Sequence, residues 1–159
     1  MYSTRASTHV DASPTEVYRV LLDPDAISRW RVPDGMTAQV HEFDPREGGR
    51  FRISLTYDSP TNTGKTSAQT DTYRGVFVRL VPDRLVVEVS EFETDDPALA
   101  GEMTMTTSLT PSGGSTEVEI VHEGVPDAVP RADNAAGMRM ALTNLDRLLA
   151  DRKRNLPSG

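Results

Sequence analysis

The N-terminal part of the chain carries the apolar spacing and the start signals of two short helices. In the segment SPTEVYRVLL at 13–22, Ser13 and Glu16 have the spacing of a capping box, and Pro14 occupies the first helical position. The Asp-Pro pair at 23–24 repeats this start signal and predicts a second short helix. The residues expected to face inward from the two helices are Val17, Val20, Leu21, Ile27 and Trp30.

From Met36 onward the apolar period changes to two residues, which is typical of half-buried strands. The segments predicted as strands are 36–43, 51–57, 70–81, 84–93, 103–109 and 118–122, with a weaker first strand at 5–11. Short turns, such as DPREGG at 44–49 and PSGGS at 111–115, join several of them. Consecutive strands joined in this way form an antiparallel meander.

The last element begins near Pro130 and has the spacing of an amphipathic helix. Its apolar residues are Met138, Ala141, Leu142, Leu145, Leu148 and Leu149. The predicted element order is β-α-α-β-β-β-β-β-β-α, an α+β fold. The apolar face of the sheet needs a cover, and this helix is the only long one available.

The segment 58–69, DSPTNTGKTSAQ, has no apolar period. It is polar and contains Pro60 and Gly64, so we expect a mobile loop. We also expect it to lie at the mouth of a cavity and to act as a lid.

Length and composition narrow the class of protein. The chain has 159 residues, which fits a single domain over 1–159 with an ordered core at about 5–150. It has no cysteine, which excludes disulfides and thiolate metal sites and suits a reducing compartment such as the cytoplasm. No apolar run reaches the ~20 residues of a membrane span. The formal charge of -7 disfavours nucleic-acid partners.

Signatures of common catalytic and cofactor sites are absent from the sequence. There is no dinucleotide fingerprint, phosphate loop, HExxH or GxSxG motif. A metal site built on histidine would need all three histidines, His9, His41 and His122, from separate strands. We therefore expect no cofactor and no metal.

Several residues have two interpretations. His122 shares a strand face with Val118 and Ile120, so it is either a buried histidine satisfied by a neighbour or a ligand-contacting or acid–base residue. Gly137, inside the last helix, indicates either a frayed first turn or a close approach of the backbone to the sheet or a ligand. The methionines at 103, 105, 138 and 140 fit ordinary core packing or an adaptable apolar pocket.

The sequence resembles the START-like superfamily, also called SRPBCC or Bet v 1-like. Within it, the chain is similar to the bacterial family named after the C-terminal domain of the activator of the heat-shock-protein-90 ATPase. The resemblance covers nearly all of 5–150, and where family helices often carry tryptophan after the glycine, this chain has Met138. It is carried by the segments SPTEVYRVLLDPDAISRW, FDPREGGRFR, YRGVFVRLVPDRLVVEVSEFE, TSLTPSGGSTEVEIVHEGVPD and AAGMRMALTNLDRLL.

The resemblance implies a helix-grip fold, in which a curved antiparallel sheet wraps the last helix around an apolar cavity. Its members differ widely in function, so fold alone does not assign one. The leading hypothesis is noncatalytic binding of a small hydrophobic or amphipathic molecule. The candidate lining residues are Trp30, Phe51, Tyr57, Tyr73, Phe77, Val89, Met103, Met105, Val118, His122, Met138 and Leu142.

Two other functions stay open at this point. One is a cyclase or hydrolase that uses the same cavity, with His122, Tyr57 and Tyr73 as acid–base candidates. The other is a co-chaperone-like interaction module, with a protein partner or a second copy of the chain as its target.

Overall fold

The computed structural model describes residues 1–58 and 70–154. The expected lid covers 58–69, so apart from Asp58 it lies outside the described residues. The elements in chain order are β1 (Tyr2–Val10), α1 (Pro14–Leu21), α2 (Pro24–Trp30), β2 (Met36–Phe43), β3 (Arg50–Tyr57), β4 (Thr70–Val81), β5 (Leu85–Phe92), β6 (Met103–Ser112), β7 (Ser115–Val125) and α3 (Arg131–Arg154). This order confirms the predicted α+β succession. Within 1–58 and 70–154, no helix is both long and apolar enough to cross a membrane.

Both short helices begin at the predicted residues. The Ser13 hydroxyl accepts a hydrogen bond from the backbone N–H of Glu16 at 3.2 Å and so caps α1. The Asp23 carboxylate caps α2 in the same way, accepting from the N–H of Asp25 at 3.0 Å. Trp30, at the end of α2, is buried as expected.

The strands form a seven-stranded antiparallel sheet in the order β1-β7-β6-β5-β4-β3-β2. The meander from β2 to β7 follows the predicted succession. At the tight turn between β6 and β7, Gly113 and Gly114 both have positive φ, at 57° and 87°. A two-residue hairpin turn with positive φ at both positions matches the twist of the flanking strands. The first strand pairs with β7, so β1 and β2, which α1 and α2 separate in the chain, form the two opposite edges of the sheet.

The long helix α3 packs mainly along β1 and α2. Its residues Leu142, Leu145 and Leu149 belong to the same buried cluster as Phe51 and Ile53 on β3. The predicted covering of the sheet by the C-terminal helix is confirmed, since α3 packs on β1 and its apolar residues share one core with the sheet. Because the backbone of α3 lies closest to one edge of the sheet, space remains between its first turns and the middle strands.

The residues of strand β5 that face the core are not the expected ones. Val86 and Glu88 are buried, at 3 % and 5 % exposure, whereas Val89 lies directly opposite the exposed Val76 of β4. Directly opposed residues share one face of a sheet, so Val89 lies on the convex side. The sequence placed Val89 on the concave face, the side of the sheet that α3 covers, and this prediction is wrong. Apolar residues occur at both odd and even positions of β5, so alternation does not identify its buried face.

Candidate functional site

A cavity of about 420 Å³ lies between the concave face of the sheet, the end of α2 and the first half of α3. Its volume is within the range of small-molecule sites, roughly 300–1,000 Å³. Seven of the residues proposed from the sequence line it, namely Trp30, Tyr57, Tyr73, Met103, Met105, His122 and Met138.

The other five candidates do not line this cavity. Phe51, Phe77, Val118 and Leu142 are each at most 2 % exposed and belong to the packed core. Val89 faces the opposite side of the sheet. Strand alternation identifies the concave face, but it gives no information about where along that face the helix leaves a gap.

Thioether side chains form much of the apolar wall. The four methionines named from the sequence, at 103, 105, 138 and 140, all contribute to it, together with Leu55, Phe92 and Ile120. Methionine has three rotatable bonds and a polarisable sulfur, so a wall of this kind adapts to ligands of different shape.

Gly137 lies inside α3 and also lines the cavity. A Cβ built on it meets no atom within 4 Å among the described residues. The frayed first turn is wrong, since α3 is continuous around Gly137, and no sheet backbone approaches it. An approach to a ligand stays a prediction, because the residue faces the cavity. The glycine widens the cavity.

Arg31 and Glu88 form a buried ion pair at one side of the cavity. The Arg31 Nη1 donates to Glu88 Oε1 at 2.7 Å, and the two side chains are 14 % and 7 % exposed. The guanidinium carbon lies 5.8 Å from the ring centroid of Trp30 and 6.0 Å from that of Tyr73. Burial by itself would lower the pKa of Arg31, but the Glu88 carboxylate outweighs it and the pKa is raised. The sequence did not predict this ion pair, because a glutamate within a strand is ordinarily expected to face solvent.

His122 is held by a chain of polar contacts at the first turn of α3. Its Nδ1 lies 3.2 Å from Nδ2 of Asn134, and the Asn134 Oδ1 accepts a hydrogen bond from the Thr4 hydroxyl at 2.5 Å. Burial, and then the nearby positive charge of Arg31, lower the pKa of His122 to about 4. The ring is therefore neutral at physiological pH. The contact with Asn134 agrees with a satisfied buried histidine, while its position in the cavity wall agrees with a ligand contact.

Two further polar groups belong to the cavity wall. Burial raises the pKa of Tyr73, so its hydroxyl stays protonated at neutral pH. The indole Nε1 of Trp30 is enclosed and has no hydrogen-bond partner among the described residues. An indole N–H usually finds a partner when it is buried, so this is a departure from expectation.

The three histidines do not converge. His9 contacts Glu117, His41 contacts Ser54, and His122 contacts Asn134. In the part of the chain that the structure describes, no group of three or more histidine, aspartate or glutamate side chains has the geometry of a metal site.

An antiparallel sheet closed by a long C-terminal helix over an internal cavity defines the START-like class of proteins. A family model described as "Activator of Hsp90 ATPase homolog 1-like protein" matches residues 11–150, and the chain belongs to that family. No curated protein matches the sequence.

Solved structures of bacterial proteins share the fold. Protein CV1439 from Chromobacterium violaceum is similar with a TM-score of 0.81 and 29 % identity, over 93 % of this chain and 97 % of that one. An AHSA1-like protein from Aeromonas hydrophila has a TM-score of 0.71 and 18 % identity, over 99 % and 98 % of the two chains. A protein from Arthrobacter aurescens has a TM-score of 0.78 and 18 % identity, over 94 % and 87 %. The last two similarities concern the fold alone.

Proposed function

We propose that this protein binds a small, amphipathic molecule in the cavity between the sheet and α3, without transforming it. The observation that carries the proposal is the cavity itself, which combines an apolar wall with a few polar groups. Small-molecule sites have this composition, because apolar area supplies affinity and a few polar groups fix orientation. The proposal takes 1–159 as one domain in the cytoplasm, in keeping with the lack of cysteine.

The state of the polar groups supports binding more than acid–base catalysis. A general base works best when its pKa lies near the operating pH. The pKa of His122 is held at about 4 and that of Tyr73 is raised, so both shifts move away from neutrality. His122 is then a weak base and Tyr73 a weak acid at pH 7. A reaction that needs either group to exchange a proton gains little from this arrangement.

Trp30 provides a direct test, because it is the only tryptophan and it lines the cavity. We expect emission typical of a buried indole in the free protein. Titration with a panel of planar hydrophobic compounds should shift or quench that emission saturably for at least one of them. Emission typical of exposed indole would contradict the placement of α2, and buried emission that no compound perturbs would count against the cavity as a binding site.

A matched pair of tryptophan substitutions separates the cavity from the rest of the surface. Met138→Trp places a large ring in the cavity, while Val78→Trp places the same ring on the convex face, where Val78 is 52 % exposed. Calorimetric affinity for the best compound should fall in the first variant and stay unchanged in the second. Equal affinities in both variants would place the binding outside the cavity.

The same experiments, together with affinity purification, also test the alternative that the protein is an interaction module. If no small molecule binds and affinity purification recovers a chaperone or a regulator with the wild-type chain, the cavity proposal is replaced. If neither readout responds, both hypotheses lose their support.

A further inference from the structure

The cavity wall contains polar atoms for which the structure shows no hydrogen-bond partner among the described residues. The Nε2 of His122 on β7 and the hydroxyl of Tyr73 on β4 are two of them. In the same part of the chain, only the Trp30 Nε1 is both unpartnered and fully enclosed. The His122 and Tyr73 atoms are therefore accessible, and both residues line the cavity.

The contacts of Asn134 indicate which nitrogen of His122 carries the proton. The Thr4 hydroxyl lies 2.5 Å from the Asn134 oxygen and 2.9 Å from the Met138 sulfur. The shorter distance is within the O–H···O range and below that of an ordinary N–H···O bond, which favours the amide oxygen, and not the NH₂, on the Thr4 side. The amide NH₂ of Asn134 therefore faces His122 and donates to Nδ1 at 3.2 Å. A neutral imidazole that accepts at Nδ1 carries its proton on Nε2. His122 thus presents an N–H donor to the cavity.

Tyr73 presents a second donor, because its hydroxyl stays protonated at neutral pH. The nearby guanidinium of Arg31 brings a positive charge, but the Glu88 carboxylate at 2.7 Å balances it. The donors therefore lie in surroundings that do not call for a ligand anion. Donors without a partner at an apolar site favour a ligand that supplies acceptor atoms, since a purely apolar ligand would leave them unsatisfied.

We propose that the ligand is an uncharged molecule of the ketone, ester or amide class, whose carbonyl oxygen accepts a hydrogen bond from the Tyr73 hydroxyl or from the His122 Nε2–H. This inference rests on the proposed function and narrows it to a class of ligand. The rest of the molecule packs against the methionine wall.

Three naphthalenes of nearly equal size test the inference by calorimetry. They are 2-acetylnaphthalene with a carbonyl, 2-ethylnaphthalene without one, and the anion 2-naphthoate. We expect the acetyl compound to bind about tenfold more tightly than the ethyl compound, as one or two satisfied donors contribute. The preference should shrink in Tyr73→Phe or His122→Leu and vanish in the double variant. His122→Gln, which keeps an N–H donor, should restore part of it.

Tyr57→Phe is the matched control, because Tyr57 also lines the cavity but lies at the end of β3. It should keep the full preference for the acetyl compound. Equal binding of the acetyl and ethyl compounds would overturn the inference while leaving the proposed function intact. Tightest binding of 2-naphthoate would overturn the uncharged class, and loss of the preference in Tyr57→Phe would overturn the assigned donors.

The protonation of His122 is measured separately on the free protein. Nitrogen-15 NMR of the imidazole should show the Nε2–H form at pH 7. Failure of all three naphthalenes to bind would count against the proposed function. A spectrum with the proton on Nδ1 would overturn the donor assignment even then, because Nε2 would be an acceptor.

Discussion

Replacement of Gly137 by alanine should stabilise the protein. The residue lies in the second turn of α3, and a Cβ at this position meets nothing within 4 Å among the described residues. Alanine is about 1 kcal/mol more favourable than glycine inside a helix, because glycine loses more backbone freedom on folding. With no steric cost to offset this gain, we expect the free energy of unfolding to rise by about 0.5–1 kcal/mol. For a domain of this size that corresponds to a melting temperature roughly 1–4 °C higher.

The opposite result is expected at Gly75 of β4, which serves as the matched control. A Cβ there would lie 2.4 Å from Cζ of Phe51 and 2.4 Å from the backbone oxygen of Val89. The oxygen belongs to the neighbouring strand and cannot move without distorting the sheet. Gly75→Ala should therefore cost about 1–3 kcal/mol, in the range of overpacked cores.

Urea unfolding of both variants, followed by circular dichroism, measures these differences. The dependence of the free energy of unfolding on urea concentration should be the same as in the wild type. A loss of stability in Gly137→Ala would refute the reasoning, because it would mean that the space beside the helix is filled or that the helix is irregular there. Stability of Gly75→Ala equal to that of the wild type would show that the approach of Phe51 and Val89 is less close than described.

Two further predictions concern the core and the pH dependence of stability. Leu145 of α3 is fully buried, so Leu145→Ala should lower the free energy of unfolding by about 2–5 kcal/mol, and a urea-measured loss below roughly 0.5 kcal/mol would contradict the packing. His122 has a pKa of about 4 in the folded protein and about 6.5 when unfolded, so the unfolded chain binds the extra proton as the pH falls from 6.5 towards 4. Stability relative to His122→Gln should therefore decrease over that window, by up to about 3 kcal/mol, and stay constant above it. Parallel pH profiles of the two proteins would show that His122 is not held neutral by burial.

The helices and most strands were predictable because their signals are local. The capping contact of Ser13 with Glu16 lies within four residues, and the β6–β7 hairpin needs only its two glycines. The inward face of β5 was not predictable, since Glu88 is buried only by virtue of Arg31, 57 positions earlier in the chain. Alternation alone favoured Val89, which is apolar and in the other phase.

The candidate site was predictable only in part, because its position depends on contacts between residues far apart in the chain. Strand alternation and the helix stripe identified residues such as Met105 and His122, which do face the cavity. They equally selected Phe77 and Leu142, which belong to the packed core and do not line the cavity. The extent of the gap depends on the path of α3 across the sheet, and that path is a property of the whole core. Asn134, which orients His122, gave no signal beyond its place near the start of the helix.

The pairing of β1 with β7 has a consequence for how the chain acquires its structure. Tyr2 lies opposite Val125 and Val10 opposite Thr116, so this edge joins segments more than a hundred residues apart. A hairpin such as β6–β7 forms in about 1–10 μs, whereas contacts distant in sequence form slowly because a long loop must close first. During synthesis from the N-terminus, β1 therefore has no strand to pair with until β7 has left the ribosome. Over that interval the backbone N–H and C=O groups of 2–10 have no strand partner, so this edge of the sheet is the last to form.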